Sequence, residues 1–130
     1  MQGVNIEDVL ARFILDPNRF SSTKNEVKFR AFLPNPMGEL SVFVVSKWDE
    51  EKIWQVGKKY VANPLGKTLK ARGDIKVSVV VEHGLAVDKD DIPPGHANVL
   101  GWPDKSEQKI TAMKLAKASR LVITPPKFQA

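Results

Sequence analysis

Hydrophobic side chains near the start of the chain recur at the spacing that lines one face of an α-helix. They are Ile6, Val9, Leu10, Phe13 and Ile14. Asn5 is a residue type that commonly caps a helix, and Asp16-Pro17 would end one. The pattern therefore predicts a helix over residues 6–15.

The pattern then changes to an alternation of apolar and polar positions. Residues 27–33 and residues 40–45 each alternate in this way, which predicts two β-strands. The link between them, residues 34–38, is rich in proline, asparagine and glycine and is too short for a crossover connection. We therefore expect the two strands to pair as an antiparallel hairpin.

Two more helices and further strands follow along the chain. Asp49 and Asp104 are each placed to cap a helix. The run of β-branched residues over 75–81 predicts a central strand, and shorter strands are predicted at 85–87 and 120–124. The element order α-β-β-α-β-(β)-α-β predicts one α+β domain over residues 1–130. Its three helices would pack on a mixed, mostly antiparallel sheet of about 4–5 strands.

Composition excludes several classes of protein. The 130 residues are 42% hydrophobic and 27% charged, which is typical of a globular domain. The absence of cysteine excludes disulfide scaffolds, thiolate metal sites and cysteine nucleophiles. Since no signal-peptide pattern and no long apolar stretch occurs, we expect a cytoplasmic protein that does not associate with membranes. No histidine and carboxylate spacing indicates a metal site, and no motif indicates a cofactor.

The chain carries a formal net charge of +5, and its basic residues concentrate in two segments. The first holds Lys67, Lys70, Arg72 and Lys76, and the second holds Lys105, Lys109, Lys114, Lys117 and Arg120. If these segments share a face with Lys28 and Arg30, the cations would contact phosphates and Phe32 would stack on an unpaired base. This predicts a module that binds nucleic acid or a nucleotide. The residues predicted to bind the ligand are Lys28, Arg30, Lys70, Lys76 and Trp102. The alternative is an ordinary solubilising surface.

A proline-rich segment near the end of the chain carries His96, Asn98 and Trp102. If this segment is extended, His96 and Asn98 point to the same side. His96 would then exchange a proton near neutral pH while Asn98 orients a carbonyl or phosphate oxygen. Arg72 or Arg30 would stabilise the developing negative charge. This predicts a small phosphodiester- or nucleotide-processing enzyme with His96, Asn98 and Arg72 as catalytic residues; the alternative is a structural loop in which Trp102 fills the core.

Two other patterns in the sequence bear on function. Gly66-Lys67-Thr68 resembles the end of a phosphate-binding P-loop, but Val61 stands where that motif requires glycine. An exposed strand edge or the tryptophans would suit a protein-interaction module or a homo-oligomer. The sequence therefore leaves three functions open: binding of nucleic acid or a nucleotide, catalysis through His96, and protein interaction.

Overall fold

A computed structural model describes residues 3–129, which form an α+β fold. The helices of this part of the chain are α1 (Glu50–Gly57), α2 (Val77–Glu82) and α3 (Lys105–Ala118). The strands are β1 (Val9–Ile14), β2 (Phe20–Ser21), β3 (Glu26–Val27), β4 (Leu40–Val44), β5 (Ala71–Lys76), β6 (Ala86–Lys89), β7 (His96–Leu100) and β8 (Arg120–Ile123). The described helices are all too short or too polar to cross a lipid bilayer.

Six strands form one sheet in the order β6-β7-β4-β1-β5-β8, and β2 pairs with β3 separately. Every strand pairing among residues 3–129 is antiparallel. The predicted α+β class with a mostly antiparallel sheet is therefore confirmed. The sheet has more strands than predicted, and its element order begins with a strand.

Each face of the sheet packs against different helices. One face contacts α2, α3 and the segment around Phe32, and together they bury the main core. The other face contacts α1, where Phe13, Phe43 and Trp54 form a second, smaller core. Because directly paired residues of antiparallel strands point to the same side, His96 lies on the α1 face next to its partner Phe43.

The helix predicted over residues 6–15 is wrong, because these residues contain β1. This strand lies between β4 and β5 and is buried on both faces. Leu10 and Ile14 belong to the main core, whereas Ala11 and Phe13 belong to the second core. A strand covered on both faces is apolar at nearly every position, and such a run also matches helical spacing.

The strand predicted over residues 27–33 is wrong beyond Val27, where β3 ends. A 3₁₀ helix, Phe29–Phe32, follows it. Phe32 is only 1% exposed and packs on Gly73, where a Cβ would lie 3.2 Å from the Phe32 ring. Phe32 therefore belongs to the core and cannot stack on a base. The predicted hairpin does not form either, since β4 pairs with β1 and β7.

The strand predicted over residues 75–81 is wrong beyond Lys76, where β5 ends and α2 begins. Val77 and Val80 are buried in the main core at helical spacing. The first two amides of α2 donate to carbonyl groups of the segment that precedes β1. Tertiary packing thus overrides the β-preference of the valines.

The predictions for α1 and α3 are confirmed. The Asp49 carboxylate accepts a hydrogen bond of 2.8 Å from the Lys52 amide, as a capping residue does. At α3 the Asp104 side chain makes no capping bond, and its carbonyl accepts the Glu107 amide at 2.8 Å instead. The segment around His96, predicted as a stiff loop, is a strand of the sheet.

Candidate functional site

Three polar side chains form a hydrogen-bonded chain on the α1 face of the sheet. Ser41 Oγ lies 2.7 Å from His96 Nε2, and His96 Nδ1 lies 2.7 Å from Asp90 Oδ1. Ser41 is in β4, His96 is in the neighbouring strand β7, and Asp90 is in the loop that precedes β7. We call Ser41, His96 and Asp90 the relay.

The protonation of the relay sets the direction of its hydrogen bonds. The hydrogen bond from His96 lowers the pKa of Asp90, so this carboxylate is ionised at neutral pH and only accepts. His96 Nδ1 therefore carries a hydrogen, and in a neutral imidazole Nε2 is then the acceptor. In that neutral state the Ser41 hydroxyl donates to Nε2. In this arrangement a histidine can remove the proton from a serine hydroxyl.

Asp90 belongs to the loop between β6 and β7, whose backbone is fixed by contacts of Asp91 and Gly95. The Asp91 carboxylate accepts the Gly95 amide at 2.6 Å, and the Asp91 amide donates to the His96 carbonyl at 3.0 Å. Gly95 has a φ of +87°, and a Cβ at this position would overlap the Trp48 ring. Only glycine fits both constraints. These contacts specify the backbone conformation of the loop that carries Asp90.

Asn98 lies beside the relay. It pairs with Ser41 across β4 and β7 and with Asp88 across β6 and β7. His96 and Asn98 therefore lie on the same face of an extended strand. Directly paired residues have Cβ atoms about 5 Å apart, so the half-buried Asn98 amide is close to any group bound at Ser41.

The Arg72 guanidinium binds Glu50 and Asp74 and packs on Trp54. It is 2% exposed, its Nη1 and Nη2 donate to the two Glu50 carboxylate oxygens at 3.0 and 2.7 Å, and its Nε donates to Asp74 at 2.9 Å. Its guanidinium carbon lies 4.6 Å from the centre of the Trp54 ring. Strands β4 and β1 separate β5 from β7, a distance of about 14 Å. The structure therefore does not bring Arg72 to His96.

A pocket of about 340 Å³ lies beside Ser41, and three arginine side chains contribute to its wall. Its wall consists of Arg12, Arg19, Arg30, Leu33, Pro34, Asn35, Glu39, Leu40 and Ser41. The Arg12 guanidinium donates to the Ala31 carbonyl at 2.8 Å and to the Ser41 carbonyl at 2.9 Å. We call this cavity the arginine pocket.

The positive charge of the arginine pocket is not balanced. Within residues 3–129 none of its three arginines forms an ion pair, although Glu39 lies in the same wall. Burial and the charge of Arg19 lower the pKa of Arg12 to about 10, so Arg12 is still protonated at neutral pH. A partly buried cation without a counter-ion raises the free energy of the fold, and a bound anion would offset that cost.

A groove of about 710 Å³ adjoins the arginine pocket, with which it shares Arg30, and lies against the C-terminal half of α3. Its wall includes Lys28, Phe29, Arg30, Met113 and Lys117. Lys109 Nζ lies 5.0 Å and Arg30 Cζ 5.6 Å from the centre of the Phe29 ring. We call this cavity the α3 groove. It brings the predicted residues Lys28 and Arg30 together with lysines of α3.

The other residues predicted to bind a ligand lie elsewhere. Lys70 precedes β5 and Lys76 ends it, where Lys76 Nζ is 3.9 Å from Glu7. Trp102 is half-buried against the main core and donates its ring N–H to the Val99 carbonyl at 2.9 Å. The main core is on the sheet face opposite His96, so Trp102 does not reach the relay. None of these three residues lies in the wall of the arginine pocket.

A third cavity, of about 540 Å³, lies next to Trp48. The charged residues of its wall are Asp8, Lys47, Lys52, Lys89 and Asp91. Lys52 covers the Trp48 ring at 4.8 Å, and Lys89 is 3.8 Å from Asp91. Because the aspartates offset most of the lysine charge, this cavity suits an anion less well than the arginine pocket does.

The sequence interpretation did not include Ser41, Asp90, Arg12 or Arg19. The sequence contains a local indication that Arg12 is functional, since it is the one charged residue in the otherwise apolar run of residues 9–15. No local pattern indicates Ser41 or Asp90, because the pairing of β4, β6 and β7 alone brings them to His96.

Comparisons of the chain with protein-family models, with curated proteins and with solved structures found no significant match. Its function must therefore be inferred from the geometry of the arginine pocket, the α3 groove and the relay.

Proposed function

We propose that this protein binds single-stranded nucleic acid. One backbone phosphate would occupy the arginine pocket, and the phosphates that follow would lie along the α3 groove. Phosphate groups supply most of the affinity of proteins for nucleic acid, and arginine forms paired hydrogen bonds to their oxygens.

The observation that carries this proposal is the unbalanced charge around Arg12. This guanidinium is half-buried, has no acidic partner within the described residues and shares a small pocket with Arg19 and Arg30. Ordinary surface lysines are solvated and do not create such a cost. A phosphate in the pocket would stabilise all three cations.

The α3 groove favours a polymer over an isolated phosphate. Lys28 and Lys117 line the groove, and Lys109 Nζ lies over the ring of Phe29 in its wall. These lysines add to the three arginines of the adjoining pocket, so the two cavities together carry more positive charge than one phosphate group needs. The ring of Phe29 is covered by Arg30 and Lys109 and packs on the main core, so contacts to the nucleic-acid backbone should dominate and sequence preference should be weak.

The proposal is tested by fluorescence anisotropy with a labelled, mixed-sequence single-stranded oligonucleotide at increasing salt. Affinity should fall linearly on logarithmic axes, with a slope of about −0.7 for each phosphate contacted. No binding at low salt would overturn the proposal.

A charge-matched pair of variants locates the binding surface. Arg19→Gln combined with Arg30→Gln should weaken binding about tenfold or more and reduce the salt slope by about 1.4. Lys67→Gln combined with Lys76→Gln removes the same charge from exposed positions outside both cavities and should have little effect. Equal losses in the two double variants would mean that net charge, not the arginine pocket, determines binding.

A further inference from the structure

We propose that the protein also hydrolyses neutral carboxylic esters, with Ser41 as the nucleophile, His96 as the general base and Asp90 as the group that orients His96. This site uses only groups on the α1 face of the sheet. It does not rest on the proposed binding function, because Arg12 alternates along β1 with residues of the main core and so lies on the opposite face.

The relay has the connectivity of a serine–histidine–aspartate triad. Ser41 Oγ lies 2.7 Å from His96 Nε2, and Asp90 Oδ1 lies 2.7 Å from Nδ1 on the other side of the ring. At such distances a histidine can take the proton of a serine, and a carboxylate can fix the tautomer of that histidine. Ser41 is exposed, so an ester can reach its hydroxyl.

The His96 ring is held in place by its surroundings. Its side chain is only 15% exposed, and the ring makes an edge contact with Phe43 at a centroid distance of 5.5 Å. Phe43 is itself buried in the second core beneath α1. The contact with Phe43 and the hydrogen bonds at both nitrogens restrict how the ring can turn, so the base is positioned before a substrate binds.

Asn98 supplies a hydrogen-bond donor for the charge that develops on the ester carbonyl oxygen. The Val44 amide donates to the Gly95 carbonyl, so these two residues form a hydrogen-bonded pair. Such pairs alternate along β4 and β7, which makes Ser41 and Asn98 a non-hydrogen-bonded pair, the kind with the closer side chains. Among residues 3–129 the Asn98 side chain has no hydrogen-bond partner of its own. Its amide is therefore free to donate to an oxyanion formed at Ser41.

The surroundings of the relay favour a neutral ester with a short acyl group. Asp88 pairs with Asn98 on the same face and is exposed, as is Asp90, so two carboxylates on this side of the relay repel an anionic substrate. Beyond Asn98 the same face presents the half-buried Leu100 and its exposed partner Ala86. These two side chains provide a small apolar surface for an acyl group.

The reaction has two balanced steps. In the first, Ser41 Oγ bonds to the ester carbonyl carbon and its proton passes to His96 Nε2, while the Asn98 amide donates to the negatively charged carbonyl oxygen. The bond to the leaving oxygen then breaks as that oxygen takes the proton from His96, which releases an alcohol and leaves an acyl ester on Ser41. In the second step water gives a proton to His96 and attacks the acyl carbon, and the carboxylic acid is released as Oγ recovers the proton.

Two neutral reagents test this proposal. An alkyl fluorophosphonate releases fluoride when an activated serine attacks its phosphorus atom, and we expect one label per chain, located on Ser41 by mass spectrometry of peptides. p-Nitrophenyl acetate is an ester with a short acyl group, and we expect several turnovers per chain, which Ser41→Ala abolishes. His96→Ala and Asp90→Asn should each slow both reactions at least about 100-fold, the contribution of general base catalysis.

Three further variants and comparisons separate chemistry from structure. Asp90→Asn keeps the shape of the side chain and favours the wrong histidine tautomer, so a merely structural role would leave both rates unchanged. Asn98→Ala should lower kcat for the acetate ester about 100-fold and change KM little, because its amide acts on the transition state. Ser46→Ala removes another exposed serine, whose hydroxyl lies 2.6 Å from Asp8 and accepts the Val9 amide, and should leave both rates unchanged.

Each outcome bears on one part of the proposal. No label, or a label on another residue, overturns Ser41 as the nucleophile. Labelling of Ser41 at a rate independent of Asp90 and His96 overturns the relay as its activator. Labelling without turnover of the acetate ester overturns the ester reaction, and turnover that Asn98→Ala does not change overturns the role of that amide. Loss of both reactions in variants whose melting temperatures show them to be folded supports the proposal; where His96→Ala does not fold, Asp90→Asn decides.

Discussion

Replacing Arg72 with methionine should destabilise the fold by about 3–5 kcal/mol, the usual cost of removing one partner from a buried ion pair. Methionine has a similar length and fills much of the space against Trp54, so the loss arises mainly from charge. The Asp74 side chain is 13% exposed and would lose the guanidinium that binds it. The Glu50 side chain is 65% exposed and would be solvated again at little cost.

The measurement is urea denaturation followed by far-ultraviolet circular dichroism. A second variant that combines Arg72→Met with Asp74→Asn should recover part of the lost stability, because no uncompensated charge is then left near the core. A loss of less than about 1 kcal/mol for Arg72→Met, which is the size expected of an exposed pair, would refute the reasoning. So would a double variant that is less stable than Arg72→Met. Oligonucleotide binding by folded Arg72→Met protein should be unchanged, since Arg72 is remote from the arginine pocket.

Three further predictions concern single residues. Gly95→Ala should lower the free energy of unfolding by about 1–2 kcal/mol or more, because alanine is disfavoured in the left-handed conformation of this residue and its Cβ would overlap the Trp48 ring; unchanged stability in urea denaturation would contradict this. Gly57→Ala should lower stability in urea denaturation, although alanine favours helices, because its Cβ would lie 2.5 Å from the Phe13 ring; increased stability would refute the clash. Hydrogen bonds from Arg72 lower the pKa of Glu50 in the folded protein. The ionised Glu50 therefore stabilises the fold above its unfolded pKa of about 4.3, and this stabilisation disappears as the pH falls through the lower pKa of the folded state. Glu50→Gln should therefore flatten the loss of stability below that pH, and an unchanged pH dependence would contradict the ion pair.

The elements that were predicted correctly are specified by local chemistry. Helix α1 begins at a capping aspartate, Asp49, and bears acidic residues in its first turn. Helix α3 follows Asp104, whose carbonyl rather than its side chain accepts the Glu107 amide, and it bears Glu107 in its first turn. Each signal involves residues within one helical turn of each other, so the sequence alone suffices to place these helices.

The elements that were predicted wrongly are decided by tertiary contacts. Strand β1 is apolar at every position except Arg12 because helices cover both faces of the sheet, and no local pattern separates such a strand from a buried helix. The valines of α2 form a helix because Val77 and Val80 are buried together in the main core. The candidate site depends even more on distant contacts, since Ser41 and His96 are 55 residues apart. A sequence pattern could indicate His96 but not the hydroxyl that it binds.

The register of β1 explains why the arginine pocket lies beside Ser41. Strand β1 pairs with β5 along its whole length, from Val9 to Ile14, but with β4 only through Leu10 and Ala11. Beyond Ala11 the two strands separate, so the Ser41 carbonyl, which faces β1, receives no backbone amide and accepts the Arg12 guanidinium instead. The same separation leaves space for the pocket between them. An unpaired carbonyl in β4 thus fixes the position of Arg12, while pairing with β7 on the other side brings His96 to the hydroxyl of the same residue.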